Sequence, residues 1–115
     1  KILCVSDVGI GAHKGIELFD YLLSELAEES ELDLKINAIL LNKFKSRNNL
    51  SKEYKEYLTD SELTKNLLLS TVISDSVKIA EAELEQKPIN IYAPKSKVAN
   101  EFVEVIKELK RKEVL

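Results

Sequence analysis

The chain has 115 residues, 44% of them apolar and 32% charged, and a net charge of −3. This length gives one domain that buries roughly two-thirds of the surface its unfolded form exposes, enough for a core without disulfide or metal staples. The composition excludes a membrane span, a secreted disulfide mini-protein and a globally basic nucleic-acid binder, but leaves room for a local basic patch. One cysteine, Cys4, and one histidine, His13, provide neither an internal disulfide nor a Cys/His zinc site. Low cysteine use fits a reducing, cytoplasmic setting. The chain begins at Lys1 and has no methionine, so a processed start or a piece of a longer protein is expected.

Residues 1–6 form a continuous apolar run, the pattern of a buried parallel strand. All three glycines, Gly9, Gly11 and Gly15, fall in 7–15, which reads as a loop. A helix is predicted over 13–29, with Ile16, Phe19, Leu23 and Leu26 as its inner stripe and Leu22 widening it. Residues 34–42 read as a second strand, 43–49 as a polar, basic loop, and 51–58 as a short helix capped by Asn49 or Ser51. A third strand over 67–73 ends in the β-branched Thr71-Val72-Ile73. Ser74 or Asp75 should cap a helix to about residue 86, with Val77, Ala80 and Leu84 inward and Ile79 off that stripe. Pro88 stops it, 89–92 reads as a short extended piece, and Pro94 and Ser96 open a last helix with Phe102, Ile106 and Leu109 buried.

Alternating apolar strands and amphipathic helices predict an α/β fold: a three- to four-stranded, mainly parallel sheet flanked by helices, in one domain spanning 1–115. Ligands of such sheets sit at the carboxyl ends of the strands. Here those ends are Ser6-Asp7, Asn42-Lys43, Ser74-Asp75 and the Ala93-Pro94-Lys95 turn. The glycine segment matches neither a P-loop, which requires G-x-x-x-x-G-K before Ser or Thr, nor a dinucleotide fingerprint, since Lys14 stands where the third glycine belongs. His13 reads as a surface residue at a helix start, and Cys4 as an inert thiol within a strand. Asn42 presents a donor and an acceptor at a strand end, chemistry suited to a nucleobase edge, although asparagine also commonly starts loops. Between Lys43 and Glu56 five basic residues, Lys43, Lys45, Arg47, Lys52 and Lys55, stand against two acidic ones. This local excess is either a solvated face or a phosphate-contacting patch.

The string Ile39-Leu40-Leu41-Asn42-Lys43-Phe44-Lys45-Ser46-Arg47-Asn48-Asn49-Leu50-Ser51 resembles the strand and R-T-N-L-S loop of the ParA/Soj type of partition ATPase. Thr71 to Ala82 resembles that family's T-V-I-P-R-x-V-R-x-x-E-A stretch, and Lys87-Pro88-Ile89 its G-K-P-I turn. Tyr92-Ala93-Pro94-Lys95-Ser96-Lys97 is similar to its Y-D-P-K-S-K/R-G segment, and Ala12 to Ile16 to its A-L-E-G-L. The likeness runs through nearly the whole chain in order. Ser74 and Asp75 replace the family's Pro-Arg, Asn42 its Thr, Val5 the proline closing the first strand and Gln86 the glycine before Lys87.

The resemblance implies the C-terminal portion of such an ATPase, with the P-loop and magnesium-binding aspartates upstream. It implies ATP and Mg in the parent protein, with none bound to this chain alone and no hydrolysis by it. ATP-dependent self-association, non-specific DNA and a centromere-binding partner protein are the implied partners, without a membrane. Asn42 with Ser74, Asp75 and Ser76 is expected on the base side of the nucleotide. Arg47 and Lys78 match basic positions used for DNA contact, and Lys43, Lys45 and Lys52 extend that surface. Two other readings remain: a stand-alone interaction or regulatory domain without nucleotide, and a membrane-associated division-site ATPase relative. The short, charged end at 110–115 argues against the second.

Overall fold

The computed structural model describes residues 1–115 and is an α/β sandwich around three parallel strands in the order β1-β2-β3. These are β1 (Leu3–Ser6), β2 (Ala38–Phe44) and β3 (Leu68–Ser74). The helices are α1 (Ile10–Ser30), α2 (Asn49–Asp60), α3 (Val77–Leu84), α4 (Ile89–Tyr92) and α5 (Lys97–Arg111). The central strand explains the layering. Side chains alternate across a strand, and every residue from Ala38 to Leu41 is buried. Ile39 and Leu41 face one core with Ile16, Leu23, Tyr54 and Leu58 of α1 and α2. Ala38 and Leu40 face the other with Leu69, Ile73, Val98, Val105 and Leu109, the last three from α5.

Several elements depart from the sequence expectation. The first helix starts at Ile10, not His13, because Gly9 caps it at φ 144°, a backbone that side-chain-bearing residues rarely adopt. Its carbonyl accepts from the amides of Ala12 and His13. Gly11 and Gly15 therefore lie in the helix, and His13 turns inward beside Ile16. Phe19, Leu22 and Leu26 are exposed, contrary to the expected stripe. A helix of 21 residues is about 31 Å long, whereas a strand of four residues runs only about 13 Å, so β1 supports only part of α1.

In α3 the expected face is reversed. Ser76 rather than Ser74 or Asp75 is the cap, its Oγ accepting from the Lys78 amide at 3.2 Å. Ala82 is buried and Ile79 packs on the α5-side core, while Val77 and Leu84 are 74% and 85% exposed and Ala80 is also exposed. The helix docks beside α4, where the Tyr92 hydroxyl donates to Glu81 Oε2 at 3.1 Å.

The expected extended piece at 89–92 is one helical turn. Pro88 fixes the entry at φ −60°, and the amides of Ile91 and Tyr92 both donate to its carbonyl. A fourth strand has no place on β3, because α5 occupies that edge with two carboxylates. Glu101 accepts from the amide and hydroxyl of Ser74, at 3.0 and 2.7 Å. Glu108 accepts from the Ser70 amide at 2.7 Å, the Ser70 hydroxyl at 3.0 Å and the Thr71 amide at 2.9 Å. Edge N–H groups that would template another strand are thereby satisfied. Glu108 is only 2% exposed. Burial works to raise its pKa, but the hydrogen bonds from Ser70 and Thr71 prevail and hold it at about 2. On the same helix Ile106 is exposed and Phe102 half-buried, while Val98, Ala99, Val105 and Leu109 make the buried face.

A candidate anion groove at the strand ends

β2 carries an extra residue near its end. Three steps from Leu41 to Phe44 oppose two from Val72 to Ser74, and Lys43 sits at φ 55°. Such a bulge re-aims side chains at a strand end. The Asp75 amide still donates to the Phe44 carbonyl at 3.0 Å, so the two strands remain joined where they deliver their loops. Beyond the bulge the Lys45 amide donates to the buried Ser51 hydroxyl at 3.1 Å, and Asn48 caps α2 by accepting from the Ser51 amide at 3.2 Å. These bonds fix the turn that carries Lys45, Ser46 and Arg47.

The turn faces a groove of about 530 Å³ completed by Ser74, Asp75, Ser76 and Lys78 after β3, and by Ser96 and Lys97 at the start of α5. Four cations, Lys45, Arg47, Lys78 and Lys97, border it against the single carboxylate of Asp75. Two helices also begin there, each capped by a serine: Ser76 for α3 and Ser96, which accepts from the Ala99 amide at 3.2 Å, for α5. Helix starts carry partial positive charge. The groove therefore favours anions. Its cations are loosely held: Lys45 lies 3.7 Å from Asp75 and Lys78 3.5 Å from Glu81, both as exposed pairs of small net worth, and Arg47 makes no ion pair.

The sequence-derived residues fall into three places. Ser74, Asp75, Ser76, Arg47, Lys45 and Lys78 share the groove. Within it the Ser74 hydroxyl is committed to Glu101 and the Ser76 hydroxyl to its cap, so the polar groups left to a ligand there are mainly backbone and cationic. Asn42 and Lys43 lie at the same end of the sheet but turn toward β1, where Asn42 Nδ2 donates to Asp7 Oδ1 at 3.2 Å and Lys43 Nζ stands 3.7 Å from Asp7 Oδ2. Asn42 does not line the groove. Lys52 is exposed on α2, outside it. Sequence reasoning missed Lys97. Its signal was available, since Lys97 follows the Ala93-Pro94-Lys95 turn already singled out as a strand-end position and directly follows a serine able to cap.

Two expectations about chemistry also meet the structure. His13 is buried at 6% exposure instead of lying on the surface, with Nδ1 2.8 Å from Glu17 Oε1 and its ring edge-on to Tyr57 at a centroid distance of 4.7 Å. Cys4 is a free, half-buried thiol whose pKa burial pushes up, which disfavours the reactive thiolate. No helix is long and apolar enough to cross a membrane.

No family model matches the chain. It is similar to the sporulation initiation inhibitor protein Soj of Bacillus subtilis (strain 168), 33% identical over 81 residues. The match covers 67% of this chain but only 30% of that protein, so the chain spans under a third of the length of the curated relative it matches. The motif resemblance to partition ATPases thus has a counterpart in one region of Soj.

Proposed function

We propose that the chain is the C-terminal part of an ATPase that partitions plasmids or chromosomes, in which ATP drives dimerisation and non-specific DNA binding. The observation that carries this reading is the groove, where Lys45, Arg47, Lys78 and Lys97 meet two capped helix starts in a chain of net charge −3. The likeness to a region of Soj supports the family context. Cations on flexible stems around an open groove suit phosphate contacts, which position a duplex without reading its sequence. Lys43, beside Asp7, and Lys52, exposed on α2, lie outside the groove and are secondary candidates for phosphate contact.

The parent protein's nucleotide engages this chain from the base side only. Main-chain groups at Ser74–Ser76 supply that wall at the strand ends, where ligands of parallel sheets sit, and the Asn42 amide, tied to Asp7 at 3.2 Å outside the groove, joins it only on release from Asp7. The triphosphate and magnesium are assigned in this reading to the upstream P-loop portion that the resemblance implies, since the glycine segment here matches no P-loop and continues into α1. A centromere-binding protein is the proposed partner and the cytoplasm the proposed location. Exposed Leu18, Leu22 and Leu26 along α1 support association with further protein surface.

The test is binding of the full-length protein to duplexes of unrelated sequence, with and without ATP. Comparable affinity for all duplexes, present with ATP and absent without it, is the expected result. Sequence-selective binding, or none under either condition, overturns the reading.

A further inference from the structure

The amino end of β3 opens on a second basic cavity, of about 350 Å³, set apart from the groove at the carboxyl end of the strand. Its wall is polar, with only Leu68 and Leu69 apolar, so it does not suit an apolar ligand body. Four cations border it from separate parts of the chain: Lys55 on α2, Lys65 in the turn that follows, and Arg111 and Lys112 at the end of α5. The one carboxylate in the wall is Glu108. It is only 2% exposed, is committed to Ser70 and Thr71, and has Lys112 3.8 Å away. The other three cations find little to balance them. Lys65 pairs with the exposed Glu62 at 3.1 Å, Lys55 lies 5.7 Å from the centre of the Phe44 ring, and Arg111 makes no ion pair. Basic residues at a helix end complement its dipole, but that serves for Arg111 and Lys112 alone, not for Lys55 and Lys65 on other elements. The helix end itself is closed, since the carbonyls of Glu108, Leu109 and Lys110 accept from the amides of Lys112, Val114 and Glu113. The hydroxyls of Ser70 and Thr59 are spent on Glu108 and the Lys55 carbonyl, so the cations are the donors left to a ligand. Like charges brought together in this way make a local positive potential that an anion relieves.

We propose that this cavity binds a chain of linked phosphates, Arg111 holding one phosphoryl group through its planar fork of N–H donors while Lys55 and Lys65 take neighbouring groups as point charges. The arginine fork matches phosphate geometry, and lysine supplies charge without direction. Cations spread over three elements suit an anion whose charge repeats along its length. Such a chain comes either from a free oligophosphate or from a nucleic-acid backbone. The inference stands apart from the groove, since it uses none of the groove's cations.

Lysine footprinting of the full-length protein tests it. The lysines are acylated with a water-soluble succinimidyl ester in the presence of tripolyphosphate, citrate or a duplex of unrelated sequence, and peptide mass spectrometry reads each lysine separately. Because every lysine reports its own site, binding elsewhere in the protein does not interfere. Tripolyphosphate should protect Lys55 and Lys65 saturably, with half-protection at roughly millimolar concentration. Lys107 and Lys110, exposed on α5 outside the cavity, should stay unprotected. Citrate, which carries carboxylates instead of phosphates, should protect several-fold more weakly. Arg111→Gln, at an exposed position where folding is not at stake, should raise the half-protection concentration of tripolyphosphate by about tenfold. Protection by tripolyphosphate but not by the duplex bears out the proposal with a free oligophosphate as the source, and protection by both bears it out with the nucleic-acid backbone as the source. No saturable protection by tripolyphosphate, equal protection of Lys107 and Lys110, an equal effect of citrate, or an unaltered midpoint in Arg111→Gln overturns it.

Discussion

Replacing Glu108 with glutamine tests how the sheet edge is closed. In the native protein both carboxylate oxygens accept, Oε2 from Ser70 and Oε1 from Thr71, in a site only 2% exposed. An amide offers one acceptor and one donor, so its NH2 group meets one of the two backbone N–H donors and leaves it unpaired. An unsatisfied buried donor costs about 1–3 kcal/mol. The pH dependence supplies a second, sharper magnitude. The carboxyl is held at about 2 instead of the ordinary 4.5, a difference worth roughly 3 kcal/mol. Because the folded pKa is the lower one, this stabilisation is complete above about pH 5 and is lost as pH falls toward 2, with roughly 2 kcal/mol of it gone at pH 3. Lys112, 3.8 Å away and partly exposed, adds little. Urea unfolding of wild type and Glu108→Gln at pH 7 and pH 3 measures both effects. The variant should be about 2–3 kcal/mol less stable at pH 7, corresponding to a Tm lower by roughly 10 °C. The gap should narrow by roughly 2 kcal/mol at pH 3. A gap of equal size at both pH values would refute the ionised cap.

Two further outcomes are expected from the nucleotide reading. The purified 115-residue chain should show no magnesium-dependent phosphate release above a buffer blank, because it has no P-loop lysine or triphosphate cradle; measurable turnover would contradict the assignment of the phosphate chemistry to another portion. In the full-length protein Asn42→Ala should weaken nucleotide binding by ~1–3 kcal/mol through removal of a hydrogen bond to the base. Calorimetric titration with ATP measures this, and an unchanged Kd would leave Asn42 as no more than a tie to Asp7.

The parallel sheet is legible because β2 declares itself: Ala38 to Leu41 are continuously apolar, as a strand buried on both faces must be. The faces of the shorter helices are harder to read. Val77, Ala80 and Leu84 form as good a stripe on α3 as Ile79 and Ala82, and only docking beside α4 decides which turns inward. Nothing in the sequence around Glu108 marks it as buried. Its burial follows from the open edge of β3, a tertiary fact with no local signature. His13 defies its surface reading for a local reason, since Gly9 allows the helix to begin three residues early. At the groove, the strand-end rule singles out residues that lie at one end of the sheet, but it gives no sign that Asp7 draws Asn42 and Lys43 toward β1. Lys97 escapes because its helix start reads as structure alone.

The salt dependence of DNA binding tests the groove most directly. Full-length protein with ATP, on duplexes of unrelated sequence, should show a linear fall of log affinity with log salt. Arg47→Glu and Lys78→Glu should each weaken binding to every duplex alike and reduce the slope by about one for each phosphate that is no longer neutralised. Unchanged affinity and slope in both variants would contradict the account and return Arg47 and Lys78 to the status of ordinary surface charge.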